Sequence, residues 1–125
     1  MALITTESAS IVIGCAITVH RKLGAGLFES VYEPCLAHEM ELAGLHFQRQ
    51  VSLPLTYDGI VFERGFRVDF IVENELVVEI KSVQDLLPVH KAQLLTYMKL
   101  TGLRKGLLLN FNVALMKHGI KSVVL

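Results

Sequence analysis

Apolar side chains recur along this chain with two different periods. Ile11, Val12, Cys15, Ala16, Val19 and Leu23 follow one another at helical intervals, a spacing that gathers side chains on one face. Thr5 or Thr6 suits an N-cap and Glu7 the first turn, so the pattern predicts a helix over roughly residues 6–22. Gly24-Ala25-Gly26 breaks it. A second stripe follows, made of Phe28, Val31, Tyr32, Cys35, Leu36, Met40 and Ala43, and Gly44 ends it. Pro34 interrupts this stripe. An interior proline removes a ladder bond and crowds the preceding turn, so either the helix kinks there or its first turn is irregular. Glu29 lies beside the stripe and Glu33 one turn further along.

From residue 45 the period changes to that of strands. Residues 45–55, 62–72 and 76–83 read as three strands, with Tyr57-Asp58-Gly59-Ile60 as the first turn. Asp-Gly between apolar runs is a strong hairpin signal. Pro88 suits the first turn of a helix that runs to about Leu100 and stops near Gly102. Residues 105–111 (KGLLLNF) read as a buried strand and 120–125 as a last short one. The order is α-α-β-β-β-α-β-β, without repeat or linker, which predicts a single domain over residues 1–125. Strands mixed with helices imply an α/β or α+β sheet with helices packed on it. The helical crossover between the third and fourth strands favours parallel pairing of those two.

Composition narrows the picture. The chain has 125 residues, 52% of them hydrophobic, and a mean hydropathy of +0.49. No apolar run approaches the ~18 residues of a membrane-spanning helix. The opening MALITTES lacks a basic signal-like start, so a cytoplasmic protein is expected. The excess apolar surface is expected in the core, in an oligomer interface, or in both. Twelve basic residues balance twelve acidic ones, which argues against a strong non-specific electrostatic binder of nucleic acid. A local basic groove remains open, with Arg64, Arg67, Lys91, Lys99, Arg104 and Lys105 as candidates. Cys15 and Cys35 sit in apolar helical patterns and read as core. Five histidines without HxxxH or HExxH spacing leave no zinc signature.

The chemistry concentrates in residues 67–81, RVDFIVENELVVEIK. Two apolar strands flank Glu73-Asn74-Glu75, and Asp69, Glu79 and Lys81 interrupt them. Centring the turn on Asn74 places Asp69 opposite Glu79, with Cβ atoms roughly 5 Å apart. Glu79 and Lys81 share a face by strand alternation. Two carboxylates and an ammonium would then meet on one patch, and a divalent cation would relieve the repulsion of the acids. The alternative is a hairpin whose charges simply face water, and a slip of one residue would separate the acids. On the third helix, His90, Gln93 and Tyr97 fall on one face, which can overhang this patch.

These pieces resemble a known family. Gly26-Leu27-Phe28-Glu29-Ser30-Val31-Tyr32 matches the signature of the GxxExxY proteins, a branch of the PD-(D/E)XK nuclease superfamily. The resemblance continues through Arg67-Val68-Asp69, the ExK element Glu79-Ile80-Lys81 and the QxxxY element Gln93-Leu94-Leu95-Thr96-Tyr97. It extends over Gly106-Leu107-Leu108-Leu109-Asn110-Phe111 to Gly119-Ile120-Lys121, nearly the whole chain. Val68 stands where the superfamily's first motif has its proline.

The resemblance implies a restriction-endonuclease-like core of the α/β class, a mixed central sheet flanked by helices. It implies Asp69, Glu79 and the backbone carbonyl of Ile80 as ligands of Mg2+ or Mn2+, with Glu29 as a further ligand or the group that orients water. Lys81 would position or activate the attacking water, Gln93 would brace the site, and Tyr97 would support it or touch substrate. Oxygen donors suit these hard cations, and an ion there would polarise a phosphodiester. The expected activity is a small magnesium-dependent nuclease, acting on DNA and associating as a homodimer, with the edge strand ending Ser122-Val123-Val124-Leu125 as the candidate contact. The alternative is a non-catalytic nucleic-acid- or protein-binding module that keeps the scaffold, because fold does not imply function.

Overall fold

The computed structural model describes residues 7–125, so the expected cap at Thr5 or Thr6 lies outside the described residues. Its elements run α1 (Glu7–Leu23), α2 (Glu29–Leu42), β1 (Phe47–Tyr57), β2 (Ile60–Val72), β3 (Leu76–Lys81), α3 (Pro88–Thr101), β4 (Lys105–Asn110), a 3-10 turn (Met116–Gly119) and β5 (Ile120–Val124). The strands form one mixed sheet in the order β1-β2-β3-β4-β5. All neighbours are antiparallel except β3 and β4, which run parallel across the α3 crossover, as the sequence implies.

Each face of the sheet carries its own core. On one side Ala9, Val12 and Ala16 of α1 and Tyr32, Leu36 and Met40 of α2 pack on Phe70, Val78, Ile80, Leu107 and Leu109. On the other, Leu94 and Met98 of α3 pack on Val68, Ile71, Val77, Leu108 and Val123. β3 and β4 are therefore covered on both faces and are apolar apart from Glu79 and the polar residues at their ends. α2 continues through Pro34. Phe28, expected on its apolar stripe, instead precedes the helix in extended conformation and is 81% exposed. The helical period is meaningless one residue outside the helix. Cys15 is buried as expected, while Cys35 is only half-buried. The Asp58-Gly59 turn has both residues at positive φ, with Tyr57 paired to Ile60, the two-residue hairpin expected there.

One interruption of the sheet falls at Asp69. Arg49 pairs with Phe70 and Val51 with Val68, but Gln50 and Asp69 between them do not pair. Gln50 adopts φ 50, a left-handed conformation uncommon for a residue with a side chain. The strands change faces here. Phe47, Phe70 and Val72 belong to the α1/α2 core, whereas Val51, Val68 and Phe66, at the same alternation, pack on the α3 side.

Tyr32 ties the entry of α2 to the sheet. Its hydroxyl donates to the Gly24 carbonyl at 2.6 Å and accepts from the Leu27 amide at 3.2 Å. Its ring stacks on Phe111 at 4.5 Å. Tyr32→Phe should lower stability by about 1–3 kcal/mol, because both loop groups lose a partner. Urea unfolding checks this, and an unchanged midpoint would mean that water replaces the hydroxyl.

Candidate active site

The C-terminal ends of the parallel strands β3 and β4 and the start of α2 meet at one end of the sheet, where open α/β sheets commonly bind ligands. Polar contacts fasten these ends together. Asn110, at the end of β4, accepts from the Val83 amide at 3.1 Å and donates to the Val83 carbonyl at 3.0 Å. Ser82 donates to the Leu27 carbonyl at 2.6 Å. The Phe111 amide donates to the Lys81 carbonyl at 2.9 Å. The segments carrying Lys81, Asn110 and Glu29 are thereby held in a common frame.

Asp69 and Glu79 come together, but not as an ordinary opposed pair. The ladder between β2 and β3 stops at Phe70 and Val78. Beyond it, the Asp69 amide donates to Glu79 Oε1 at 2.9 Å, and the Ile80 amide donates to Asp69 Oδ2 at 2.8 Å. Each carboxylate replaces a missing backbone acceptor. Glu79 is buried, and its pKa is pushed up to about 8, first by burial and then by the charge of Asp69, against the opposing pull of Lys81.

Lys81 leads away from this pair along a polar chain. Its Nζ donates to Gln93 Oε1 at 2.8 Å, and Gln93 Nε2 donates to the Tyr97 hydroxyl at 2.9 Å. Tyr97 stacks on Phe66 at 5.1 Å. Burial, then the charge of Glu79, raises the Tyr97 pKa above its ordinary value. The expected shared face of α3 therefore holds for Gln93 and Tyr97. His90 instead caps its own helix: the Leu87 amide donates to His90 Nδ1 at 2.9 Å.

Beside the acids lies a cleft of about 500 Å³ lined by Glu29, Ser30, Glu33, Arg49, Gln50, Arg67, Asp69 and Ile80, together with Pro34. Glu29 stands at the first turn of α2 and reaches this cleft. Among the described residues, no three His, Cys, Asp or Glu side chains form a ready-made metal cluster. A buried carboxyl beside a half-buried one, both offering hard oxygen donors, nevertheless fits magnesium or manganese. Magnesium in particular uses one or two carboxylates plus water and substrate oxygens. Of the basic candidates, Arg67 lines this cleft.

Sequence reasoning missed Arg49, Gln50 and any role for Glu33. Glu33 is buried and accepts from Arg49 Nη2 at 2.5 Å, Arg49 Nε at 3.3 Å and Gln50 Nε2 at 2.8 Å. Burial works against its charge, but the bonds from Arg49 and Gln50 outweigh it and hold the carboxyl below its ordinary range. An Arg-Gln pair in a strand carries no periodic signal that marks it.

The family model described as PD-(D/E)XK nuclease superfamily matches residues 6–123. The chain belongs to the PD-(D/E)XK nuclease superfamily. Its mixed five-stranded sheet flanked by helices is the fold expected of that superfamily. Among solved structures, SSO0001 is similar, with 19% sequence identity and a TM-score of 0.52, over 98% of this chain and 70% of that one. At that identity the likeness concerns the fold alone. No curated protein matches the chain. Nucleases of this superfamily typically cleave phosphodiesters with a divalent metal. Among the described residues, no helix is long and apolar enough to cross a membrane.

The position of Glu79 in this nuclease fold has a thermodynamic consequence. A carboxyl with a raised folded pKa stabilises the fold in its protonated form. That contribution is complete below the ordinary value of 4.5 and is lost as pH rises through about 8. In buffer with chelator, the urea midpoint should fall across this window, and Glu79→Gln should flatten the fall. A wild-type midpoint independent of pH there would contradict the assignment.

Proposed function

We propose that this protein is a magnesium- or manganese-dependent nuclease of the GxxExxY branch, cytoplasmic and hydrolysing phosphodiester bonds in DNA. The observation that carries this reading is the exchange of carboxylate-to-amide hydrogen bonds between the segments of Asp69 and Glu79, with Lys81 two residues along the strand. Asp69, Glu79 and the Ile80 carbonyl would hold the ion, and Glu29 would add a ligand or orient water from the cleft wall. When bound, the ion polarises the phosphodiester and favours ionised water as the nucleophile.

The chain's own groups do the remaining work. The Lys81 ammonium is a compact positive charge. Gln93 accepts its hydrogen bond and is itself oriented through Tyr97. Lys81 thus faces the developing charge of the transition state without having to reorganise, the arrangement that lowers barriers most. Arg67 has no side-chain partner among the described residues and lines the cleft. Its guanidinium suits a phosphate of the bound strand. Tyr97 supports Gln93 and borders the substrate.

Purified protein should cleave DNA in magnesium or manganese and stop on chelation, with RNA as the comparison substrate. Glu79→Ala and Lys81→Ala should each lower the rate at least about 100-fold. Undiminished cleavage by both would assign the activity elsewhere. Absence of both cleavage and saturable metal binding by calorimetry would favour a non-catalytic nucleic-acid- or protein-binding module. Ser122 and Val123 of the expected contact are buried, but Val124, the last residue of the edge strand β5, and Leu125 after it are 50% and 39% exposed and support self-association as a dimer. Light scattering at micromolar concentration should give twice the chain mass, and a monomer mass would remove the dimer from this reading.

A further inference from the structure

Glu33 is a buried charge that the proposed chemistry does not use, and it does not pair with a buried cation. Its partner Arg49 has a side chain 47% exposed, so the ion pair alone contributes little to stability. The more telling contact is the second one, to Gln50.

Gln50 is the residue of β1 whose φ of 50 interrupts the strand. Its would-be partner across the ladder is Asp69, and neither makes the pairing. A non-glycine residue in this conformation costs energy and persists only where its surroundings over-determine it. One carboxylate of α2 accepts three hydrogen bonds from two consecutive residues of β1, and these supply that determination. Were the ladder closed at Gln50, the Asp69 amide and carbonyl would be engaged by β1. With the ladder open, the Asp69 amide is free to donate to Glu79 Oε1, and the Asp69 carboxylate accepts from the Ile80 amide. The same opening coincides with the change of faces along β1 and β2, which leaves Asp69 lining the cleft.

We infer that Glu33 is a positioning residue: by gripping Arg49 and Gln50 it holds Gln50 left-handed, keeps the β1–β2 ladder open at Asp69, and so sets the acid pair. Its consequence for metal affinity rests on the nuclease reading above, but its consequence for the backbone does not.

Four variants test this: Glu33→Ala, Gln50→Gly, the two combined, and Gln50→Val. Glycine takes a positive φ without steric cost, whereas a β-branched residue strongly resists it. Two readouts are recorded, the backbone amide resonances of Asp69 and Ile80 by NMR without metal, and the affinity for Mn2+ alone by calorimetry. Glu33→Ala should shift both resonances and weaken Mn2+ binding by about 10-fold or more, the range seen when groups supporting a metal ligand are lost. Adding Gln50→Gly should return both readouts toward wild type, and Gln50→Gly alone should change them little. Gln50→Val keeps Glu33 and should shift the resonances as Glu33→Ala does, which tests the backbone half. If Glu33→Ala fails to fold, Glu33→Gln, which removes the charge and keeps the shape, replaces it with the same outcomes required. A merely structural Glu33 would lower the melting temperature while leaving both readouts of the folded variants unchanged, with no rescue by glycine; that result overturns the inference. Wild-type protein that binds no Mn2+ while the resonances respond as described would refute the metal reading and leave the positioning role standing.

Discussion

Two carboxylates, Asp69 and Glu79, do the work of missing backbone acceptors. Where the β1–β2 ladder opens at Asp69 and the β2–β3 ladder ends, the amides of Asp69 and Ile80 still require partners, because an unpaired buried amide is expensive. Glu79 and Asp69 provide them across the gap. The arrangement satisfies the backbone and in doing so forces two acids together in a place where water is scarce. Burial and mutual repulsion then push the Glu79 carboxyl up to about 8. Geometry that bridges an interrupted ladder between two interior strands thus creates an electrostatic conflict, which a divalent cation would relieve.

The rest of the fold serves to hold that conflict in one place. The α3 crossover makes β3 and β4 parallel, so both end on the same side of the molecule. Tyr32 stacks on Phe111 and pins the loop that leads into α2, which brings Glu29 and Glu33 over those strand ends. Asn110 and Ser82 fasten the segment after β3. From the other face, α3 presents Gln93 and Tyr97 to Lys81. Acids come from strands and a helix packed on one side, the amine is held from the other, and the sheet itself is the partition through which they meet. Rigid elements on both faces suit a site whose groups must be oriented before substrate arrives.

The chain also shows where local pattern loses authority. The stripe on α2 located its buried face correctly at Tyr32, Leu36 and Met40, yet it extended one residue too far at each end, to the exposed Phe28 and Ala43, and included the exposed Val31. His90 shares the helical spacing of Gln93 and Tyr97, but the amide of Leu87 claims its ring for a cap. Spacing states which side chains lie on one face; it does not state which of them a nearby unpaired backbone group will capture.

What the linear pattern determined by itself was considerable: the order of elements, the parallel β3–β4 pair, the Asp58-Gly59 hairpin, and the approach of Asp69 to Glu79. All of these arise from interactions near in sequence, namely periodicity, turn chemistry and a hairpin whose register its own turn sets. The left-handed Gln50, the opened ladder at Asp69 and the grip of Glu33 on β1 were decided only in three dimensions. Their cause is a contact between a helix and a strand 17 residues apart in the chain. No backbone preference of glutamine announces such a conformation, because the surroundings impose it against that preference.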